Sequence, residues 1–552
     1  MKLPRSRSLL ALAGAGALAL AGTTGARTDA LTPREEALHV LNRLGFGPRP
    51  GDVERVLAMG RANWVAAQLH PERISDAAVE GKLARLETLT LSNAELIARF
   101  EVPFREAKKK LKAERAAMEK EGDEGAADNA RGLLRKLIPP ESRPRRILDE
   151  LTSARILRGA ESERQFNEVL VDFWMNHFNV YANKGAGRVA ITSFERDTIR
   201  PRIWGKFEDL LLATAASPAM LAYLDNARSV ADEAHRPAGM SRPGADAKAL
   251  RGLNENYARE LMELHTLGVD GGYSQADVTE LARLLTGWSI ALPRGGVEKA
   301  ASRRRAKETA EPGTFVFRAR LHDSGKKTLL GTTFPAGGGM EEGERAIRLL
   351  ARQPATARHI AYRLCQRLVA DEPPPPLVTR VALRFEATGG DLRETVRAIV
   401  ESPEFFDPRY YRAKVKSPFE YAVSAIRAGG GSTDGRAIAK RIAEMGQPLY
   451  LCQPPTGYED TAQAWVNSGA LLARLNFAIA LAQGRIPGTS AGPAAKTSAP
   501  AQELGRGLSG SELSAETLET IRRRVAEDDS AAPELAALTA GLVLGSPEFQ
   551  RQ

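Results

Sequence analysis

Along most of this chain, apolar residues return every three or four positions, the period of a helix with one face turned inward. Runs of this kind occupy Phe166 to Phe178, Phe207 to Ala215, Asp277 to Trp288, Leu377 to Ala387 and Leu392 to Val400. Their starts are punctuated. Thr32-Pro33-Arg34-Glu35 and Ser417-Pro418-Phe419-Glu420 each place a hydroxyl at the cap, proline at the first helical position and glutamate at the third. Cap and glutamate can then satisfy each other's free backbone N–H groups. Ser217-Pro218, Ser402-Pro403 and Ser546-Pro547 repeat the start. Strand alternation shows in one place, where Thr314 to Leu321 and Lys327 to Phe334, joined by His322-Asp323-Ser324-Gly325-Lys326, read as a β-hairpin. The pattern predicts a mainly α fold: a large multi-helix body, in one lobe or two, with one small β-hairpin insertion.

Composition divides the chain further. Arg105 to Arg135 is rich in Lys, Arg, Glu and Ala and reads as a solvated helix or helical hairpin, while Ser229 to Ala249, Pro293 to Pro312 and Gln483 to Ser511 have the Gly, Pro, Ala and Ser content of loops. The expected division is a signal peptide at 1–26, an N-terminal helical lobe at 27–290, a loop with the hairpin at 291–335 and a C-terminal helical lobe at 336–482. A flexible linker at 483–511 and C-terminal helices at 512–552, packing back on the body, complete it.

The leader follows from Lys2, Arg5 and Arg7 ahead of an uncharged Leu/Ala/Gly run from Ser8 to Gly22, with cleavage sites after Ala21 or Ala26. That run is too short to span a bilayer, so export into the periplasm or medium is expected, with no transmembrane helix after removal of the leader. The whole-chain charge of +10 falls to about +7 without the leader, mild for its length. It favours anionic wall polymers as partners, and no arginine-rich motif with interleaved aromatics points to nucleic acid. Cys365 and Cys452 are the two cysteines; in an oxidising compartment they could pair. Haem, nucleotide and zinc-thiolate signatures are all missing from the sequence, and the cofactor stays unknown.

The densest chemistry lies in NENYARELMELHTLG, from Asn254 to Gly268. On a helical period Tyr257, Leu261 and Leu264 form an inward stripe, and Asn256, Glu260 and Glu263 a polar one beside it. Asn254 suits a cap, Glu255 the positive helix end, and Glu255 with Arg259 an i,i+4 pair. Glu260 and His265 are five residues apart and Glu263 and His265 two apart, neither a helical metal-ligand spacing. Any metal would need ligands from elsewhere. Further polar groups beside apolar packing are His177 in Phe173-Trp174-Met175-Asn176-His177-Phe178, then Asp225 and Asn226, and His322 with Asp323 at the hairpin tip. His177, Arg259, Glu260 and His265 are the catalytic candidates, with proton exchange between Glu260 and an imidazole. Asp225, Asn226, Asn254, Glu255, Asn256, His322 and Asp323 are the binding candidates.

These segments, with Leu41-Asn42-Arg43-Leu44-Gly45-Phe46-Gly47, Arg196-Asp197, Ile199-Arg200-Pro201 and Ala355 to Pro375, resemble in order a secreted bacterial family known as domain of unknown function 1800. The resemblance runs from about Ala37 to Phe549. It implies export, a mainly helical body and genomic company with a co-exported alkaline-phosphatase-like protein, and it supplies no reaction. Three functions stay open: a hydrolase or lyase acting on extracellular polymer, a noncatalytic partner or assembly factor for another exported protein, and a cell-wall or polysaccharide binding module.

Overall fold

Helix punctuation is realised as the sequence writes it. In the computed structural model, which describes residues 29–120, 132–133, 136–232, 252–291 and 310–552, Thr32 caps Pro33–Arg43 and Ser417 caps Pro418–Ala428. In each the hydroxyl accepts from the third residue's N–H while that glutamate accepts from the cap's own N–H, at 2.9 Å for Thr32 and 2.7 Å for Ser417. Ser217, Ser402 and Ser546 cap the elements that follow them. Phe207–Ala215 and Leu392–Val400 form as helices over the span their periodicity marks, and Leu377 to Ala387 lies within Pro375–Ala387. The fold is mainly α.

One hydrophobic cluster runs from Ala37 to Phe549, so the segments read as N- and C-terminal lobes share a core. Buried polar reach across it is extensive. The Arg427 guanidinium donates to Gly47 O at 2.7 Å and Ala160 O at 2.9 Å, and the Tyr421 hydroxyl donates to Leu544 O at 3.0 Å. Such bonds satisfy carbonyls that helix ends leave open inside the body.

Three expectations are corrected. The strands pair differently: Trp288–Ile290 (β1) runs antiparallel to Phe315–Phe317 (β2), and Lys327–Leu329 (β3) to Thr332–Phe334 (β4). Leu330 and Gly331, both at positive φ, turn β3 into β4, the backbone that a two-residue turn needs to match strand twist. Residues 322–326 therefore join two sheets and are not a hairpin tip. The partner of β2 is contributed from before residue 291, which local alternation does not reveal. The expected linker at 483–511 is packed structure: Thr489–Ser490 pairs with Ser432–Thr433, and Ala501–Leu508 is a helix with Leu504 and Leu508 buried. Its small residues serve close approach, for a Cβ on Gly429 would stand 1.8 Å from Ala491 O. Cys365 and Cys452 do not pair; both are free and buried. The expected signal peptide at 1–26, most of the stretches 229–249 and 293–312, and residues 121–131 lie outside the described residues.

Candidate functional site

Asn254 begins the Glu255–Glu263 helix with its side chain accepting from Asn256 N–H at 3.0 Å, and its amide donates to Leu224 O at 3.0 Å. The cap thus anchors this helix to the end of Pro218–Tyr223. Glu255 accepts from Gln275 and from Thr279, each at 2.7 Å, and Arg259 donates to Gln275 Oε1 at 2.7 Å. These groups clamp the helix to Gln275–Leu284. Asn256 is exposed, and Tyr257 and Leu261 turn inward as predicted.

His177 and His265 do meet. Their ring centroids are 6.1 Å apart, and His177 Nε2 lies 3.2 Å from His265 O, so that nitrogen is the donor. His359, absent from the sequence candidates, joins at 6.1 Å from His177, its Nε2 facing Leu264 O. Burial first, then neighbouring cationic groups, holds His177 well below the usual imidazole range, His265 at about 3 and His359 at about 4. All three rings are neutral at ordinary pH. Glu260 stands in different surroundings. Half-buried and without a hydrogen-bond donor among the described residues, it is pushed up by burial and by Glu263, and it also acts on the Tyr223 phenol. The electrostatic neighbours of His177 and His265 are imidazoles and, for His177, Arg363. The expected exchange between Glu260 and an imidazole is not assembled.

The remaining candidates are spread further. Asp225, at φ 62°, pairs with Lys184 at 2.9 Å. Asn226 is buried and donates to Leu285 O at 3.1 Å. His322 is internal, with Nδ1 2.8 Å from Thr286 O and Nε2 3.2 Å from Glu342, and Asp323 binds Arg283 at 2.8 Å. These pairs fix the two small sheets to the helices. Among the described residues no group of three His, Cys, Asp or Glu side chains is arranged to hold a metal ion.

A narrow cleft with a cavity volume of about 50 Å³, partly open to solvent, opens on another face of the His177 helix, Gln165–His177. That helix lends Asp172, Phe173, Met175 and Asn176. Arg155 comes from Arg145–Glu161, Arg363 and Arg367 from Pro354–Leu368, and the far wall is the irregular stretch from Gln447 to Trp465. Asn176 holds this wall bidentately, donating to Tyr458 O and accepting from Tyr458 N–H, both at 2.8 Å. Gly457, at φ 71°, passes so near that a Cβ would be 2.4 Å from Asn176 O. Only glycine fits there. Half-buried Tyr458 and buried Trp465 lie 5.8 Å apart in its lining.

Arg155 and Arg367 are paired with carboxylates, while Glu459 in the lining has no ion pair among the described residues. Asp172 takes Arg155 on one oxygen and Arg367 on the other at 3.2 Å, and Arg367 also reaches Glu420 at 2.6 Å and Asp460 at 3.6 Å. Burial would raise the Glu420 and Asp460 carboxyls, but these cations, with Lys414 on Asp460, hold both below the usual range. Arg363 differs. Half-buried, it spends one bond on Gln366 at 3.1 Å and has no carboxylate within 4 Å among the described residues.

The segments that build this cleft fall within a single family match. The chain belongs to the family described as protein of unknown function (DUF1800), whose model matches residues 39–551. No curated protein and no solved structure matches the chain. None of the helices among the described residues is long and apolar enough to cross a membrane.

Proposed function

We propose that the protein is an exported binding protein that holds an acidic polysaccharide segment in the cleft between the His177 helix and the 447–465 wall. The observation that carries this reading is Arg363, a cation facing a cleft in which Arg155 and Arg367 already have carboxylates. A guanidinium with unused donors takes a carboxylate or sulfate in two parallel bonds. Half-buried Tyr458 supplies a flat apolar face in the same lining, the other requirement of a sugar ring. The wall's amides and hydroxyls add polar contacts. Chemistry favours binding over turnover here, because Glu420 and Asp460 are held ionised and a general acid must keep its proton near neutral pH. Calorimetric titration with trigalacturonate tests the reading. Arg363→Ala should weaken binding roughly 10- to 100-fold, as expected for a charge-assisted pair, and unchanged affinity would refute it.

Glu260 favours a second reading, a hydrolase or lyase. It is a half-buried carboxyl with no donor among the described residues and a raised proton affinity, as an acid/base residue requires. If polygalacturonate is cleaved, Glu260→Gln should lower kcat by about 100-fold or more; equal rates in both proteins would discard this reading.

A further inference from the structure

The helix Val102–Lys120 presents a charge arrangement that neither reading uses. Between Arg105 and Arg115 it carries six cations and two anions, and they are sorted by face. At 3.6 residues per turn, Arg105, Lys108, Lys109, Lys112 and Arg115 fall within about 120° of the circumference. Glu106 and Glu114 lie outside that stripe. The buried side is a third sector, with Ala107 buried and Phe104 and Leu111 half-buried. All five stripe residues are exposed. Arg105 reaches Glu101 at 3.4 Å and Lys108 lies over the Phe104 ring, while Lys108, Lys109 and Lys112 have no carboxylate within 4 Å among the described residues.

Like charges three and four residues apart repel and weaken a helix, so the stripe carries a folding cost that an anionic partner would relieve. We propose that this helix is a second contact surface, separate from the cleft, on which a polyuronate chain lies along the five-cation stripe. The partner's chemistry follows from the face. Successive cations are one helical turn or less apart along the axis, which suits a polymer with regularly repeated charge. The helix turns Phe104, Ala107 and Leu111 toward the body and exposes only Val102 among its described large apolar residues, so it lacks the apolar outer face with which amphipathic helices enter a bilayer.

The test uses the full chain with long polygalacturonate, with trigalacturonate as the cleft probe and phosphatidylglycerol vesicles as the membrane probe. Between about 50 and about 200 mM salt, polymer affinity should fall steeply through counterion release, and Lys108→Gln/Lys109→Gln/Lys112→Gln should reduce the log–log slope by about 2. That variant should bind polymer at least about tenfold more weakly at low salt and trigalacturonate as before, while the Lys→Arg triple variant retains polymer binding. Because the cleft is read by the short oligomer and the helix by the salt slope, failure of one is distinguishable from failure of the other. An unchanged slope in the glutamine variant, absence of polymer binding by the native protein, or binding to vesicles alone would each overturn the proposal.

Discussion

Replacing Asp172 by asparagine tests the physics that shapes the cleft. The change keeps volume and an acceptor oxygen but removes the carboxylate between Arg155 and Arg367. Side-chain exposures are 12% for Asp172 and 10% for Arg155, so water can do little to compensate. Arg367 keeps Glu420 and Asp460, whereas Arg155 has no other carboxylate within 4 Å among the described residues and keeps only the more distant attraction of Glu195. Nearly all of the cost therefore falls on one stranded guanidinium, about 3–5 kcal/mol by the usual penalty for an uncompensated buried charge. An exposed pair gives the contrast: Arg352 with Glu208, where the arginine side chain is 68% exposed, should contribute little, because water screens it. Thermal denaturation followed by circular dichroism compares Asp172→Asn with Glu208→Gln. The former should lower Tm by several times the latter's shift, and adding Arg155→Met should recover much of the loss by removing the stranded charge. Equal shifts, or a double variant no better than Asp172→Asn, would refute the reasoning.

Other outcomes follow from the same geometry. Since His265 and His359 are depressed to about 3 and about 4, with His177 depressed as well, the unfolded chain binds more protons than the folded one below its histidine value of 6.5. Their contribution is fully present above 6.5 and is lost as pH falls toward 4, by up to about 1.4 kcal/mol per pH unit for each ring; His265→Asn should flatten denaturant midpoints measured across that window. Gly457→Ala forces a methyl against Asn176 O at positive φ and should cost more than about 1 kcal/mol while releasing the 447–465 wall, seen as faster proteolysis there. Burial pushes the Cys365 and Cys452 thiols up to about 12 and about 11, so both should react with a thiol reagent only on unfolding, and reductant should leave electrophoretic mobility unchanged.

Local signals in the sequence were legible where the physics is local. Thr32, Ser417 and the Ser-Pro starts announce caps whose bonds span three residues, and the helices they open appear where periodicity puts them. The Asn254 cap and the inward Tyr257 and Leu261 were readable for the same reason. Pairings between distant segments were not. β2 finds its partner at Trp288, across a long intervening stretch, and Gly429 meets Ala491 through smallness that reads in sequence as looseness. The cleft escaped because its arginines sit inside ordinary helices and its far wall has no period. Arg155, a charge between Ala154 and Ile156 on a buried helix, was the available clue.

Arg363 waits for an anion in a cleft whose other arginines already hold carboxylates. Calorimetric titration of the native chain, Arg363→Ala and Arg363→Lys with trigalacturonate measures this directly. Saturable one-site binding by the native chain is expected, with a loss of roughly 10- to 100-fold in the alanine variant and a smaller loss with lysine, which keeps the charge but not the two-bond geometry. Equal affinity in all three, or no binding by the native chain, would contradict it.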